Sequence, residues 1–410
     1  MSHQDRTILR GLAGQYFAAA NSDHNRRTIL LHKRVNDRQS ARPIVLVDEI
    51  PWQEMDIDGE LTLRCADPAC RQIEEYFRRV LFQWKHFRAD MVLRPYFAVP
   101  KVIHAAGIGV EKQFDTEIEV GAQALAHQYV NQLHSEKDLE KLHNDVITYD
   151  EAETRRRFAF AADLFGDILP VRICGESTGY ALACKNWDDI VEFCGLETLF
   201  TDLIDRAEFM HALVGKLTDI YLDRIRQYER LNLFDSDQYL LHCTSALTND
   251  LHPDPVHPQA KQMWGRGLAQ IFASVSPRMH EVFDTAYMIK AMEPFGLVYY
   301  GCCEPLDRKI DIISKIPNLR KVGVTPWADL NRATEAIAGR YVVAAKPNPA
   351  HLAVPHLNAE VVRREIGDYV AACRRTGANC ELTLKDITTV SGRPENLIEW
   401  VQIAMEAVQG

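Results

Sequence analysis

Short runs of apolar, largely β-branched residues recur along this chain, and between them lie longer segments whose apolar residues return every three or four positions. The runs read as strands and the longer segments as helices. Eight runs stand out: Pro43–Glu49, Met91–Phe97, Pro170–Gly175, Tyr239–Thr244, Leu297–Cys303, Leu319–Val324, Tyr341–Ala345 and Cys380–Asp386. Cys70–Phe87 puts Ile73, Phe77, Leu81 and Trp84 on one helical stripe, and Ala359–Arg374 does the same with Val362, Ile366, Val370 and Cys373. Ser135-Glu-Lys-Asp138 has the form of a capping box before Leu139 and Leu142, and Pro394 opens a last helix, Glu395–Val408.

Eight alternations of strand and helix predict parallel strands joined by crossover helices, the count of a (β/α)8 TIM barrel. The chain therefore reads as α/β: an N-terminal helical extension over residues 1–40, then one barrel over 41–410. The extension carries Arg26, Arg27, Lys33 and Arg34, and is expected to close the barrel base or to meet a second subunit in a homodimer. Ala98–Leu169, after the second strand, is too long for a crossover and predicts an insertion over the catalytic mouth, with a helix from Glu151 to Leu164. No tandem repeat or low-complexity linker divides the chain.

Composition changes this picture mainly by exclusion. With 47% hydrophobic residues in 410, there is material for a large core. A formal net charge of −10 argues against a nucleic-acid partner, which needs a basic surface to displace counterions. Met1–Ala20 lacks the apolar core and cleavage site of a signal peptide, and no run of about 18 apolar residues would span a membrane. A cytoplasmic protein is expected. The ten cysteines are scattered, without a disulfide framework, so in a reducing compartment most are small buried hydrophobes and one or two are available as ligands.

In a parallel barrel the site forms where strands end. Those ends hold Asp48, Glu49, Arg94, Glu176, His242, Cys243, Cys302, Cys303, Glu304, Asp329, Lys346, Asn348, Lys385 and Asp386. Tyr299-Tyr-Gly-Cys-Cys-Glu-Pro305 is the sharpest item: two thiols and a carboxylate there could ligate zinc, with His242 and Asp386 as N and O partners. The candidate metal set is thus His242, Cys302, Cys303, Glu304 and Asp386. The thiols read equally as barrel-wall packing, or one of them as a nucleophile. Adjacent strand residues face opposite ways, so Cys302 and Cys303 are not both expected inside unless the strand has already bent, and the same holds for Lys385 and Asp386. Gly301 removes bulk beneath the cysteines.

Glu49, Arg94, Lys346 and Asn348 are the catalytic candidates. Lys346-Pro-Asn-Pro349 offers a cation and an amide in a rigid turn suited to fixing a carboxylate or phenolate, or a salt bridge to Asp386 or Glu304. Glu49, with Asp48, offers a carboxylate for general-base work, or an ion pair with Arg94. Trp52, Glu176, Tyr300 and Trp327 stand at or just past strand ends and are candidates to line a substrate pocket, ordinary packing being the other reading of the tryptophans.

Asp163-Leu-Phe-Gly-Asp-Ile-Leu-Pro170, the Ser276–Phe283 segment, the strand entering Gly301-Cys-Cys-Glu304, and Lys346-Pro-Asn-Pro349 followed by Pro394-Glu-Asn396 resemble, in this order, the uroporphyrinogen decarboxylase superfamily. That group holds porphyrin decarboxylases and zinc-dependent methyltransferases that exchange methyl groups with corrinoid proteins. Arg42–Pro51 lacks the arginines with which the decarboxylases hold porphyrin carboxylates, so the resemblance leans to the methyltransferases. In that branch zinc uses a His-x-Cys on one strand and a later cysteine; here Gly301 replaces the histidine, Cys303 matches the first cysteine, and Asp386 falls where the second is expected. No Asp-x-His-x-x-Gly signature of a cobalamin domain occurs, so the resemblance implies a small methylated substrate and a corrinoid carried by a separate protein. A metal-independent decarboxylase or lyase, using Lys346, Arg94 and Asp48 or Glu49, and a noncatalytic binding barrel are the alternatives.

Overall fold

The computed structural model describes residues 1–120, 124–179 and 181–410, with backbone only for 114–120 and 124–127. Its strands are β1 (Ile44–Val47), β2 (Phe97–Pro100), β3 (Val102–Ala105), β4 (Phe114–Val120), β5 (Ala124–Tyr129), β6 (Ile147–Asp150), β7 (Val171–Cys174), β8 (Leu240–Leu241), β9 (Thr244–Ser245), β10 (Trp264–Gly267), β11 (Leu297–Tyr300), β12 (Leu319–Val324), β13 (Val342–Ala345) and β14 (Cys380–Leu384).

Six of them form one parallel sheet in the order β1-β14-β13-β12-β11-β10. Every residue of β10 to β14 is buried, the mark of parallel strands covered on both faces. The helices Ala359–Thr376 and Pro394–Gln409 cover one face through Val362, Ile366, Leu397 and Trp400. β2 and β7 make a separate parallel pair. Beside them, two isolated parallel bridges join Glu176 to Phe234 and Cys184 to Gly267. The molecule is thus a mixed α/β fold around a parallel sheet.

Two expected strands form differently. Met91–Phe97 is not a strand; the ladder begins only at Phe97. Tyr239–Thr244 is a tight antiparallel hairpin, Leu241 pairing with Thr244 across His242 and Cys243, with Cys243 at φ 52°. Conversely, Trp264–Gly267 is a strand that its two glycines disguise as a turn. They are there for space: a Cβ on Gly265 would lie 2.6 Å from the Phe295 ring, and one on Gly267 would lie 2.4 Å from the Met288 sulfur.

The N-terminal segment forms α1 (His3–Ala20) and α2 (Asp23–Asn36). α1 packs Leu9, Ala13 and Tyr16 against Phe77 of α3 (Pro68–His86) and Phe165 of α4 (Glu151–Phe165). α2 reaches the sheet: buried His32 bonds Ser245 Oγ and the Asp90 carbonyl, each at 2.8 Å. The excursion over 98–169 holds two antiparallel pairs, β3 with β6 and β4 with β5, residues 121–123 lying outside the described set. Its Ser135 capping box starts a 3-10 turn, Glu136–Lys141, rather than an α-helix. No helix among the described residues is long and apolar enough to cross a membrane.

Candidate active site

β11 brings the first chemistry to the sheet's carboxyl edge. Along it Tyr299 and Tyr300 alternate, and then the strand breaks at Gly301, whose φ is +115°. A side chain there would be strained, and its Cβ would meet Leu306 Cδ1 at 2.9 Å and the Gly323 nitrogen at 3.2 Å. Past this kink strand alternation no longer governs, and Cys302 and Cys303 fall on one side with their sulfurs 3.7 Å apart. The same happens on β14. Asp386 sits at φ 55°, and both Lys385 and Asp386 enter the site, Nζ to Oδ2 at 2.9 Å.

The first strand and the hairpin supply the rest. Glu49, at φ 51°, sets Oε1 3.3 Å from His242 Nε2, and its Oε2 accepts the Asp386 backbone N–H at 2.9 Å. Cys243 Sγ lies 3.4 Å from His242 Nε2. The hairpin tip is pinned on both sides: the Cys243 N–H donates to Asp48 Oδ2 at 3.2 Å, and Lys346 Nζ donates to the Cys243 carbonyl. Three non-glycine residues in one cluster, Glu49, Cys243 and Asp386, thus hold left-handed backbone, a conformation that carries strain and concentrates at functional sites.

Lys385 ties the groups together, reaching Cys302 Sγ and Glu49 Oε2, each at 3.8 Å. Burial opposes its charge, but the surrounding thiols and Asp386 outweigh that and raise its pKa. The Cys303 thiol, donating to Cys302 against the effect of burial and helped by His242 and Lys385, lowers the Cys302 pKa. Cys303 shifts upward, first because it keeps the proton shared with Cys302 and then through burial. Its sulfur lies 3.5 Å from Asp386 Oδ2. Burial and the neighbouring Asp386 raise the Glu49 carboxyl, whereas Asp386, despite its burial, is held below the usual range chiefly by Lys385.

Beside the cluster opens a cleft of about 340 Å³, walled by Cys302, Cys303, Thr325, Trp327, Lys346, Asn348, Lys385 and Asp386. Trp327 stands at its rim, 72% exposed. Asn348 spends Oδ1 on the Ala350 N–H, capping the turn that follows β13. Thr325 is 2% exposed, and its hydroxyl has no partner in the described structure.

Of the residues singled out in the sequence, Glu49, His242, Cys302, Cys303, Asp386, Lys346, Asn348 and Trp327 gather here. The others lie elsewhere. Tyr300 points away into the helical layer, its hydroxyl donating to Asp284 Oδ2 at 2.5 Å and meeting His280 Nε2 at 2.8 Å across a π-helical turn, Glu281–Thr285. Strand alternation causes this: Tyr299 lies against Arg266 and Lys346, so Tyr300 must face outward. Glu304 is fully buried, its two oxygens taken by the N–H groups of Cys302 (2.9 Å) and Ala269 (3.2 Å), and burial pushes its carboxyl up to about 8. It braces the cysteine bend from behind. Arg94 is bound to Asp235 Oδ2 at 3.1 Å and to the Asp237 carbonyl at 2.9 Å. Glu176, its carboxyl raised by burial, continues β7 through its N–H to the Leu233 carbonyl. Trp52 packs edge-on against Phe82 beneath Arg79.

Cys243 and Lys385 stand at strand ends in the sequence but outside its metal, catalytic and substrate candidates; for Lys385, strand alternation admits only one of it and Asp386 to the site. A two-residue hairpin turn and a left-handed Asp386 suspend that rule. Only the density of reactive side chains at these ends signalled the pairs.

Glu49, His242 and Cys243 each offer a donor atom, all within 4.8 Å of one another. The separations of 3.3 and 3.4 Å from His242 Nε2 match the edges of a zinc tetrahedron with bonds of about 2.0–2.3 Å. The Cys302 and Cys303 sulfurs, 3.7 Å apart, stand outside this three-donor group. The donor set therefore fits a divalent metal of zinc type.

No family model matches the chain, and no curated protein does. Among solved structures it is similar to a methyltransferase from Methanosarcina mazei at 10% identity, with 92% of this chain and 97% of that one covered and a TM-score of 0.47.

Proposed function

We propose that this chain is an enzyme of methyl transfer in the uroporphyrinogen decarboxylase superfamily, acting on a small methylated molecule with a corrinoid carried by a separate protein. In this reading the parallel sheet belongs to a (β/α)8 barrel over residues 41–410, with 1–40 as its helical extension. The observation that carries it is the convergence of Glu49, His242 and Cys243, donors within 4.8 Å, beside an open cleft lined by two further thiols. The order of sequence motifs supports the superfamily.

Glu49, His242 and Cys243 would hold the metal, with Cys302 and Cys303 as further thiolate donors. A divalent ion there supplies Lewis-acid polarisation of the heteroatom that gives up its methyl group. The chain's own groups do the rest. The unpartnered Thr325 hydroxyl offers a buried hydrogen bond to a polar substrate atom, and Trp327 offers an aromatic wall at the entrance. Lys385, charged and nearly buried, holds Glu49, Asp386 and Cys302 in place around that position. The lyase alternative loses support, since Arg94 is committed to Asp235 and Asp237 rather than to the cleft that Lys346 lines.

The test is a panel of methylated amines, ethers and thioethers, incubated with the metal-loaded chain and free cob(I)alamin, with methylcobalamin formation followed by absorbance. Formation with at least one donor, lost in Cys243→Ser, is expected. No methylcobalamin with any donor, together with decarboxylation of a small carboxylate, would move the chain to the lyase reading.

A further inference from the structure

Cys302 and Cys303 are adjacent in sequence, and among the described residues they are the two cysteines that line the cleft. Gly301 turns both sulfurs to one side, 3.7 Å apart. Cys303 is the more accessible, and its thiol points at the Asp386 carboxylate, 3.5 Å away; Cys302 is 5% exposed behind it. A thiol with an acceptor on one side and a second thiol on the other is the arrangement of an attacking and a resolving cysteine.

We propose that Cys302 and Cys303 form a reversible two-electron redox site that takes hydrogen peroxide in the cleft and closes to a disulfide between neighbouring residues. The Cys303 sulfur, its thiol facing Asp386, attacks one oxygen of hydrogen peroxide. The S–O bond forms as the O–O bond breaks, and the departing hydroxide takes the Cys303 proton as water. The Cys302 sulfur then attacks Cys303 Sγ: the S–S bond forms, the S–O bond breaks, and the leaving hydroxide removes the Cys302 proton as a second water. Two thiols are oxidised to one disulfide and one peroxide is reduced to two waters.

Geometry also makes the step reversible. The sulfurs must close from 3.7 Å to about 2.05 Å, and neighbouring Cα atoms lie about 3.8 Å apart, short of the usual span of about 4.4–6.8 Å across a disulfide. Such a bond is strained, and strained disulfides are the easily reduced, switchable ones. Closure removes the Cys303 thiol from Asp386 and both thiols from the cleft wall.

The inference concerns the metal-free chain, since the proposed function names these two thiols as further metal donors, and its test reads mass rather than activity. The full chain, stripped of metal with chelator, is treated with limiting hydrogen peroxide, alkylated and digested with trypsin; residues 291–308 then carry Cys302 and Cys303 and no other cysteine. A peptide lighter by two hydrogens, unalkylated and restored by dithiothreitol, is expected. Cys302→Ser should instead leave a sulfenic acid on Cys303 that dimedone captures, and phenylarsine oxide should bind wild type one to one and neither single serine variant. Wild-type Cys303 driven to sulfinic acid with no closed peptide, or joined to Cys243 in a cross-linked pair of peptides, would overturn the proposal. Should a serine variant fail to fold, the wild-type peptide mass still decides.

Discussion

Two lysine–carboxylate groupings depend on β14, and they are built to opposite specifications. Lower on the strand, Lys321 and Glu381 are wholly buried: Lys321 Nζ donates to Thr244 Oγ1 and the Ser245 carbonyl at 2.8 Å each and to Glu381 Oε2 at 2.9 Å. All three ammonium protons are used, so nothing is left for a ligand. At the strand's end Lys385 makes one close contact, to Asp386, and two long ones of 3.8 Å, with Asp386 half exposed. The saturated pair is scaffold that roots the hairpin carrying His242 and Cys243. The loosely filled one has the room and the surplus donors of a site. Charge alone does not separate them; saturation does.

Breaking the buried pair is expected to have the largest effect. Lys321→Met leaves Glu381 buried without its cation and should cost about 3–5 kcal/mol in urea or thermal unfolding. The double variant Lys321→Met/Glu381→Gln should recover much of that loss. A single-variant cost below about 1 kcal/mol would make the two groupings alike and remove the comparison.

Glu304, behind the cysteine bend, gives the next effect, through pH. Burial pushes its carboxyl up to about 8, against about 4.3 in an unfolded chain. Between those values the folded state keeps a proton that the unfolded state releases. This contribution to stability is complete below about pH 4 and declines as pH rises towards about 8, by an amount on the order of a few kcal/mol. Glu304→Gln should flatten that slope in unfolding curves taken at successive pH values, and an unchanged slope would assign it to another group.

Lys385→Met sharpens the contrast from the other side. Its stability should stay within about 1 kcal/mol of wild type, while methyl transfer falls roughly a hundredfold as Glu49, Asp386 and Cys302 lose their common partner. Unfolding comparable to that of Lys321→Met, with activity per folded molecule intact, would make Lys385 scaffold as well.

The same contrast marks how far the sequence was readable. β11 to β14 stood out as short apolar runs because they are buried on both faces, and the helices over them kept a clear apolar stripe. β10 was hidden by Gly265 and Gly267, which are there to admit Phe295 and Met288. The first half of the expected barrel pattern yielded less: Tyr239–Thr244 has strand composition but folds back at His242 and Cys243. Site positions could be narrowed to strand ends, yet which neighbours share a face depended on left-handed backbone at Glu49, Cys243 and Asp386 and on the Gly301 kink. For the three non-glycine residues, side-chain type does not announce that conformation. Tyr300 shows the converse: strand periodicity held there and carried its hydroxyl away from the cleft.

The central claim, that Glu49, His242 and Cys243 make a metal centre beside the cleft, is tested most directly by titrating the chelator-treated chain with cobalt(II) under reducing conditions. The account predicts uptake of one equivalent, with the sulfur-to-cobalt charge-transfer absorption of bound thiolate, weakened in Cys243→Ser and abolished when His242→Ala is added. Absence of that absorption, or an equal absorption in the double variant, would contradict it.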